Sequence, residues 1–207
     1  MHLDILLGVV LSYLFGSISS AIAVCKLMGL ADPRTQGSKN PGATNVLRIG
    51  GKKAAIIALL GDTIKGVIPV LLAKFYGFNT MELNWIALAV FFGHLYPIYF
   101  RFQGGKGVAT ALGCLLALSW PTALCLFAIW LLTALLFRYS SLAALTAAVF
   151  TPVVLWFFTK TDYLWAGCIM SIFLIYRHKK NIWNLLQGQE SKIGASAARQ
   201  APTLDKF

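Results

Sequence analysis

Seven apolar stretches alternate with short polar connections along the chain, from Ile5 to Val24, Ala54 to Phe75, Trp85 to Phe100, Val108 to Leu118, Pro121 to Phe137, Leu142 to Phe158 and Tyr163 to Tyr176. Stretches approaching roughly 20 apolar residues read as helices that cross a bilayer, and three of these are short for that task. The two between Val108 and Phe137 read either as one long helix or as two helices broken at Ser119-Trp120-Pro121. Proline suits a helix start and disfavours an interior. The first stretch is longer than a signal-peptide core and is preceded by His2 and Asp4 rather than a basic segment, so it is expected to be a retained helix.

Composition agrees with this pattern. The 207 residues are 58% hydrophobic, and the mean hydropathy is +0.72, far above a soluble domain. The expected fold is an all-α polytopic membrane protein of about seven transmembrane helices. A single integral-membrane domain would occupy residues 1–191, followed by a short basic, disordered tail at 192–207. Cys25, Cys114, Cys125 and Cys168 lie in or beside apolar runs with no CxxC and no histidine cluster, as packing residues do. No metal, cofactor or nucleic acid is expected.

Charge sets the orientation. Lys and Arg total 18 against 7 Asp and Glu, a net +11. With seven crossings, the connections after the first, third, fifth and seventh helices share one face. Fifteen of the 18 basic residues fall there, including Arg34, Arg48, Lys106, Arg138 and Arg177. The positive-inside rule makes that face cytoplasmic and puts the N-terminus outside and the C-terminus inside.

Two polar segments on that face carry the candidate chemistry. Residues 37–48 read Gly-Ser-Lys-Asn-Pro-Gly-Ala-Thr-Asn-Val-Leu-Arg. Gly37 and Gly42 let successive backbone N–H groups converge, while Ser38, Asn40, Thr44, Asn45 and Arg48 add side-chain donors. Residues 104–110 read Gly-Gly-Lys-Gly-Val-Ala-Thr, which lacks the spacing of a Walker loop. Even so, Gly104, Gly105, Lys106, Gly107 and Thr110 place one ammonium and free backbone donors at an expected helix start. Phosphate is the natural guest of both. On the same face, Arg177-His178 and Asn181 follow the last helix, with His178 and Asn181 three apart on one helical face if that helix continues.

Polar residues also interrupt the apolar runs. Asp62 and Lys65, three apart, are expected to form a structural ion pair or to support the site. Ser17 and Ser19, in Gly-Ser-Ile-Ser-Ser-Ala, serve either as a small packing face or as the lining of a cavity mouth. His94 is expected to hydrogen-bond a neighbour or to support the site. Phe91, Phe92, Tyr96 and Phe100 fit the wall of an apolar channel and fit ordinary aromatic anchoring better.

Taken in order, Gly16-Ser-Ile-Ser-Ser-Ala, the 37–48 segment, Gly93-His94-x-x-Pro97, Gly104-Gly-Lys-Gly-Val-Ala-Thr and Arg177-His178-x-x-Asn181-Ile resemble the bacterial acyl-phosphate-dependent glycerol-3-phosphate acyltransferases of the PlsY type, over residues 16 to about 190. Ser19 stands where the family commonly has proline. The resemblance implies acyl transfer from a fatty acyl phosphate to the 1-hydroxyl of sn-glycerol 3-phosphate, yielding lysophosphatidic acid and phosphate. It implies Ser38, Arg48, Lys106, His178 and Asn181 as the catalytic set in a seven-helix protein of the bacterial inner membrane, its site facing the cytoplasm. An enzyme making acyl phosphate is the implied partner.

The acceptor hydroxyl must lose a proton either to His178 or to a substrate phosphate oxygen, and the resemblance favours the phosphate. Two other readings compete. The His-x-x-x-x-Asp motif of other glycerolipid acyltransferases is missing, since Leu7, Tyr99 and Trp183 lie five residues after the three histidines. A transporter of an organic phosphate would also need an anion site, but near the midplane. A protein that merely holds anionic headgroups would not need paired Gly-rich cradles.

Overall fold

The computed structural model describes residues 3–194. Among these the chain forms nine α-helices and one 3₁₀ turn, with no strand. The helices are α1 (Leu3–Gly16), α2 (Ser20–Leu27), α3 (Ala43–Phe75), α4 (Thr80–Leu95), α5 (Val108–Leu118), α6 (Trp120–Phe137), α7 (Ser140–Thr159), α8 (Leu164–Arg177) and α9 (Lys179–Leu186). Four segments are long and apolar enough to cross a bilayer: Ala43–Phe75, Thr80–Phe100, Trp120–Phe137 and Ser140–Thr159. The bent pair α1–α2 makes a fifth, and α5 and α8 are shorter. The all-helical expectation therefore stands.

The first apolar stretch is not one helix. It bends by about 40° between Gly16 and Ser20. Ser19 begins the new helix by accepting from Ile22 N at 3.4 Å, as N-cap serines do. Such a break frees backbone groups inside the protein, and these must be paired. α3 meets both needs, because Lys65 Nζ donates to Ile18 O at 2.6 Å and Asp62 Oδ1 accepts from Ser20 N at 3.3 Å.

Other boundaries also differ from the hydropathy reading. α3 starts 11 residues before the apolar stretch at Ala54, so Thr44, Asn45 and Arg48 are helical rather than in a loop. Polarity concealed those turns because Thr44 and Arg48 face a cavity instead of lipid. Gly51, at φ 76° and ψ −172°, then redirects the helix, a conformation that glycine adopts without steric cost. The third stretch ends as a helix at Leu95, because Pro97 cannot continue it. Val108–Phe137 is two helices, with Pro121 in the first turn of α6.

Close backbone approach holds the bundle together. A Cβ on Gly66 would sit 2.4 Å from Thr110 O, and one on Gly113 would sit 2.1 Å from Thr63 O. α3 and α5 therefore touch backbone to backbone, and α1 and α4 do the same at Gly16 and Gly93. Phe91, Ile86 and Leu95 of α4 are the large, fully buried side chains at the centre.

The connections gather at two ends. Thr44 reaches Ser140, Arg177 reaches Gly104, and Ile193 N donates to Arg138 O at 2.6 Å, all at one end. At the other, Asn84 Nδ2 donates to Asp162 O, and Lys74 Nζ donates to Ala117 O and Leu118 O. Arg34, Arg48, Lys106, Arg138 and Arg177 all lie at the first end, so the charge asymmetry of the sequence is a spatial one. Ile193 is thus docked onto Arg138, while the rest of the expected tail, 195–207, lies outside the described residues.

Candidate active site

The first polar segment is organised by Asn45. From the first turn of α3, its Nδ2 donates to Pro33 O at 2.8 Å and Gln36 O at 3.0 Å, while its Oδ1 accepts from Ser38 N at 2.9 Å. Gly37, at φ 60°, lies so close that a Cβ there would sit 2.2 Å from Asn45 Oδ1. Asn45 is 1% exposed, so its main work is to shape the turn. Ser38, Asn40, Gly42, Thr44, Asn45 and Arg48 line the cavity that the turn borders. Gly42 caps α3 without a side-chain hydrogen bond, which leaves first-turn N–H groups facing that space.

The second segment is built on the end of α4. Gly105 N donates to His94 O at 3.2 Å, and Gly107, at φ 92°, starts α5 with no side-chain cap. Lys106, Gly107, Val108 and Ala109 line the same cavity. Two helix N-termini thus converge on it, each with unpaired backbone donors and a positive dipole end. Arg177 is turned away from the cavity. Its Nη2 donates to Gly104 O at 2.8 Å and Gly105 O at 3.1 Å, and its guanidinium lies 5.5 Å from the Tyr96 ring centroid. Arg177, Gly104 and Gly105 therefore shape the loop from behind, instead of bordering the cavity as expected of substrate contacts.

The third group stands where the last helix breaks. α8 does not continue through His178, and α9 begins at Lys179. His178 and Asn181 nevertheless both reach the cavity. His178 Nδ1 lies 2.7 Å from Leu174 O, so Nδ1 carries the proton and Nε2 is left as an acceptor. Burial, and then the Lys106 charge, push the His178 pKa down to about 4, so the ring is neutral. Lys106 Nζ donates to Asn181 Oδ1. Burial lowers the Lys106 pKa to about 8 against the opposing charge of Glu190, with Arg48, Arg177 and Lys180 lowering it further.

Glu190 had no signal in the sequence, because it lies in a polar stretch after the last helix. Its carboxylate accepts from Asn181 Nδ2 at 2.7 Å and from Ser141 Oγ at 2.5 Å, with Asn184 Nδ2 at 3.3 Å. It fastens α9 to α7 and fixes the Asn181 amide so that Oδ1 faces Lys106. Lys52, Ser140 and Ser141 are further lining residues that the motifs did not reveal.

Asp62 and Lys65 do pair, at 2.9 Å, and Asp62 and His94 reach the inner wall of the cavity. Ser17, Ser19, Lys65 and Thr110 do not border it. Ser17 Oγ donates to Tyr13 O at 2.8 Å, Ser19 caps α2, and Thr110 Oγ1 donates to Asp62 O at 3.0 Å. Ser17 and Ser19 thus hold the helix break and do not line a cavity mouth.

The cavity measures about 880 Å³. Away from the cations it becomes an apolar groove between α3, α5, α6 and α7, walled by Leu60, Leu112, Leu115, Leu126, Phe127 and Trp130. Leu60 and Phe127 on this wall are themselves exposed. Phe91, Phe92, Tyr96 and Phe100 do not line it. Phe91 belongs to the core, because α4 sits at the centre of the bundle.

The sequence matches the glycerol-3-phosphate acyltransferase family over residues 6–188. A glycerol-3-phosphate acyltransferase of Burkholderia multivorans is 55% identical over 93% of this chain and 92% of its own. One from Burkholderia cenocepacia is 56% identical with the same coverage. The fold is similar to a crystal structure of PlsY, an integral membrane glycerol 3-phosphate acyltransferase, in its glycerol 3-phosphate form, with a TM-score of 0.88 and 41% identity over 92% of this chain and 96% of that one. The lysophosphatidic acid form gives 0.85 and 40% over 91% and 95%. With the family model matched over nearly the whole chain, relatives more than half identical and the fold shared, the chain belongs to the PlsY family of glycerol-3-phosphate acyltransferases.

Proposed function

We propose that this protein transfers a fatty acyl group from acyl phosphate to the 1-hydroxyl of sn-glycerol 3-phosphate, producing lysophosphatidic acid and inorganic phosphate for phospholipid synthesis. The observation that carries the reading is the convergence of two uncapped helix N-termini, Arg48 and Lys106 on a cavity that continues into an apolar groove. Both substrates bear phosphate, and one also bears a long chain. Each feature of the cavity answers one of those needs.

An acyl phosphate is a mixed anhydride, so the donor is already activated and the work left is positioning and charge control. Arg48 suits a bidentate phosphate clamp, and Ser38 and Asn181 add polar contacts. Lys106 neutralises charge that develops on the leaving phosphate. The acceptor oxygen attacks the acyl carbon, the bond from that carbon to the phosphate oxygen breaks, and the hydroxyl proton passes to a phosphate oxygen. His178, neutral with Nε2 unprotonated, accepts from the neighbouring 2-hydroxyl of the acceptor and orients the molecule, while the reacting 1-hydroxyl keeps its proton for the phosphate oxygen. A group with a pKa near 4 is a poor match for abstracting a proton at neutral pH.

In this reading the chain crosses the bacterial cytoplasmic membrane seven times, α1–α2 counting as one crossing. The N-terminus is outside, and the basic end, with the site, is cytoplasmic. The upstream partner is an enzyme that makes acyl phosphate. The test offers purified protein sn-glycerol 3-phosphate together with acyl phosphate, acyl-CoA or an acyl carrier protein thioester, in parallel. Product from acyl phosphate alone, abolished by Lys106→Ala, is the expected result. Product only from a thioester overturns the donor, and no product from any donor moves the assignment to an organic-phosphate transporter.

A further inference from the structure

We propose that Asp62, Lys65 and His94 are positioning residues for Lys106: one buried carboxylate joins the break in the first span to the histidine on which the Gly104–Gly107 turn is moulded. This rests on the reading of Lys106 as a phosphate contact. Asp62 Oδ1 is the hub, lying 2.9 Å from Lys65 Nζ, 3.3 Å from Ser20 N and 3.7 Å from His94 Nδ1. Lys65 in turn holds Ile18 O at 2.6 Å, so both sides of the α1–α2 break are tied to this pair.

His94 carries the effect to the loop. Its backbone oxygen accepts from Gly105 N, and a Cβ on Gly104 would sit 2.1 Å from that oxygen. A Cβ on Gly105 would sit 2.2 Å from His94 Nε2. The turn therefore lies flat on the histidine, ring and backbone together, immediately before Lys106. Among the described residues His94 Nδ1 is buried without a hydrogen-bond partner, and the Asp62 carboxylate lies 3.7 Å from it. A buried ion pair contributes little net stability over apolar packing but fixes geometry where its charges have defined partners. Here those partners lie on three separate segments, and Asp62 and His94 themselves reach the cavity that Lys106 lines.

The experiment measures sn-glycerol 3-phosphate affinity by calorimetry, and acyl transfer in parallel, for wild type, His94→Gln and Asp62→Asn, each also combined with Lys106→Ala. His94→Gln is expected to weaken acceptor binding by about tenfold while leaving kcat within about threefold, in the range of coupling inside one network. In the Lys106→Ala background the same change is expected to cost less than about twofold. Equal losses in both backgrounds, or no loss in His94→Gln, overturn the proposal. If either substitution prevents folding, Gly105→Ala loads the same contact from the loop side. It should give the same loss and the same absence of further loss with Lys106→Ala, and wild-type binding by Gly105→Ala overturns the idea. Wild-type protein that neither binds nor acylates the acceptor refutes the proposed function instead.

Discussion

Lys106 and Asn181 are hydrogen-bonded across 75 positions of sequence, from the N-terminus of α5 to the short helix beyond the last span. The contact joins the second Gly-rich segment to the C-terminal motif and leaves Lys106 with a neutral partner instead of a carboxylate. In the proposed reaction an ammonium held this way keeps its charge for an incoming phosphate. Lys106→Ala is expected to lower kcat/KM by at least about 10²- to 10³-fold, the cost of removing one preorganised charge donor. Lys106→Arg should recover little, because the planar fork does not fit a slot made for a compact ammonium. Steady-state kinetics with acyl phosphate checks both.

The activity should be lost as pH rises through about 8. Lys106 is protonated below that value and neutral above it, and only the charged form attracts phosphate. Glu190 raises this pKa, so Glu190→Gln should move the alkaline limb of kcat/KM to lower pH. Bound phosphate favours the ammonium, so the limb in kcat should lie above that in kcat/KM. A limb unmoved by Glu190→Gln would detach it from Lys106.

His178→Gln should retain turnover to within about tenfold, whereas loss of a true general base costs about 10²- to 10⁴-fold. The glutamine carbonyl still accepts a hydrogen bond, so the acceptor's 2-hydroxyl keeps a partner. Its KM for glycerol 3-phosphate should rise modestly. A loss in kcat above about a hundredfold with unchanged acceptor binding would assign the proton to His178 instead.

The apolar groove predicts a chain-length effect. Ala147 on α7 lines it, and Ala147→Trp places an indole in the groove proposed for the acyl chain. Turnover of a long-chain acyl phosphate should fall by about tenfold or more, as bulk inserted into packed space costs about 1–3 kcal/mol. A two- to four-carbon donor should react as in the wild type. Equal loss with both donors would place the chain elsewhere.

Membrane helices, the charge asymmetry and the two Gly-rich polar segments were all legible in the sequence, because hydropathy, charge and glycine patterns are local properties of the chain. Family membership was legible too, since the polar motifs stand in order along nearly the whole chain. The start of α3 was not. Thr44 and Arg48 are polar because they face a cavity, and polarity alone does not separate that from a loop.

Tertiary structure decided which motif residues border the cavity and which stand behind it. Arg177 carries donors suited to substrate, yet it spends them on the carbonyls of Gly104 and Gly105, and Asn45 borders the cavity while its amide holds the 33–38 turn. Glu190 gained its place from Asn181 and Ser141, two residues brought to it by separate helices. Composition and periodicity fix what a segment is, because each residue's propensity and hydropathy travel with it. A hydrogen bond needs its partner's position as well, and that position is set only when the helices pack.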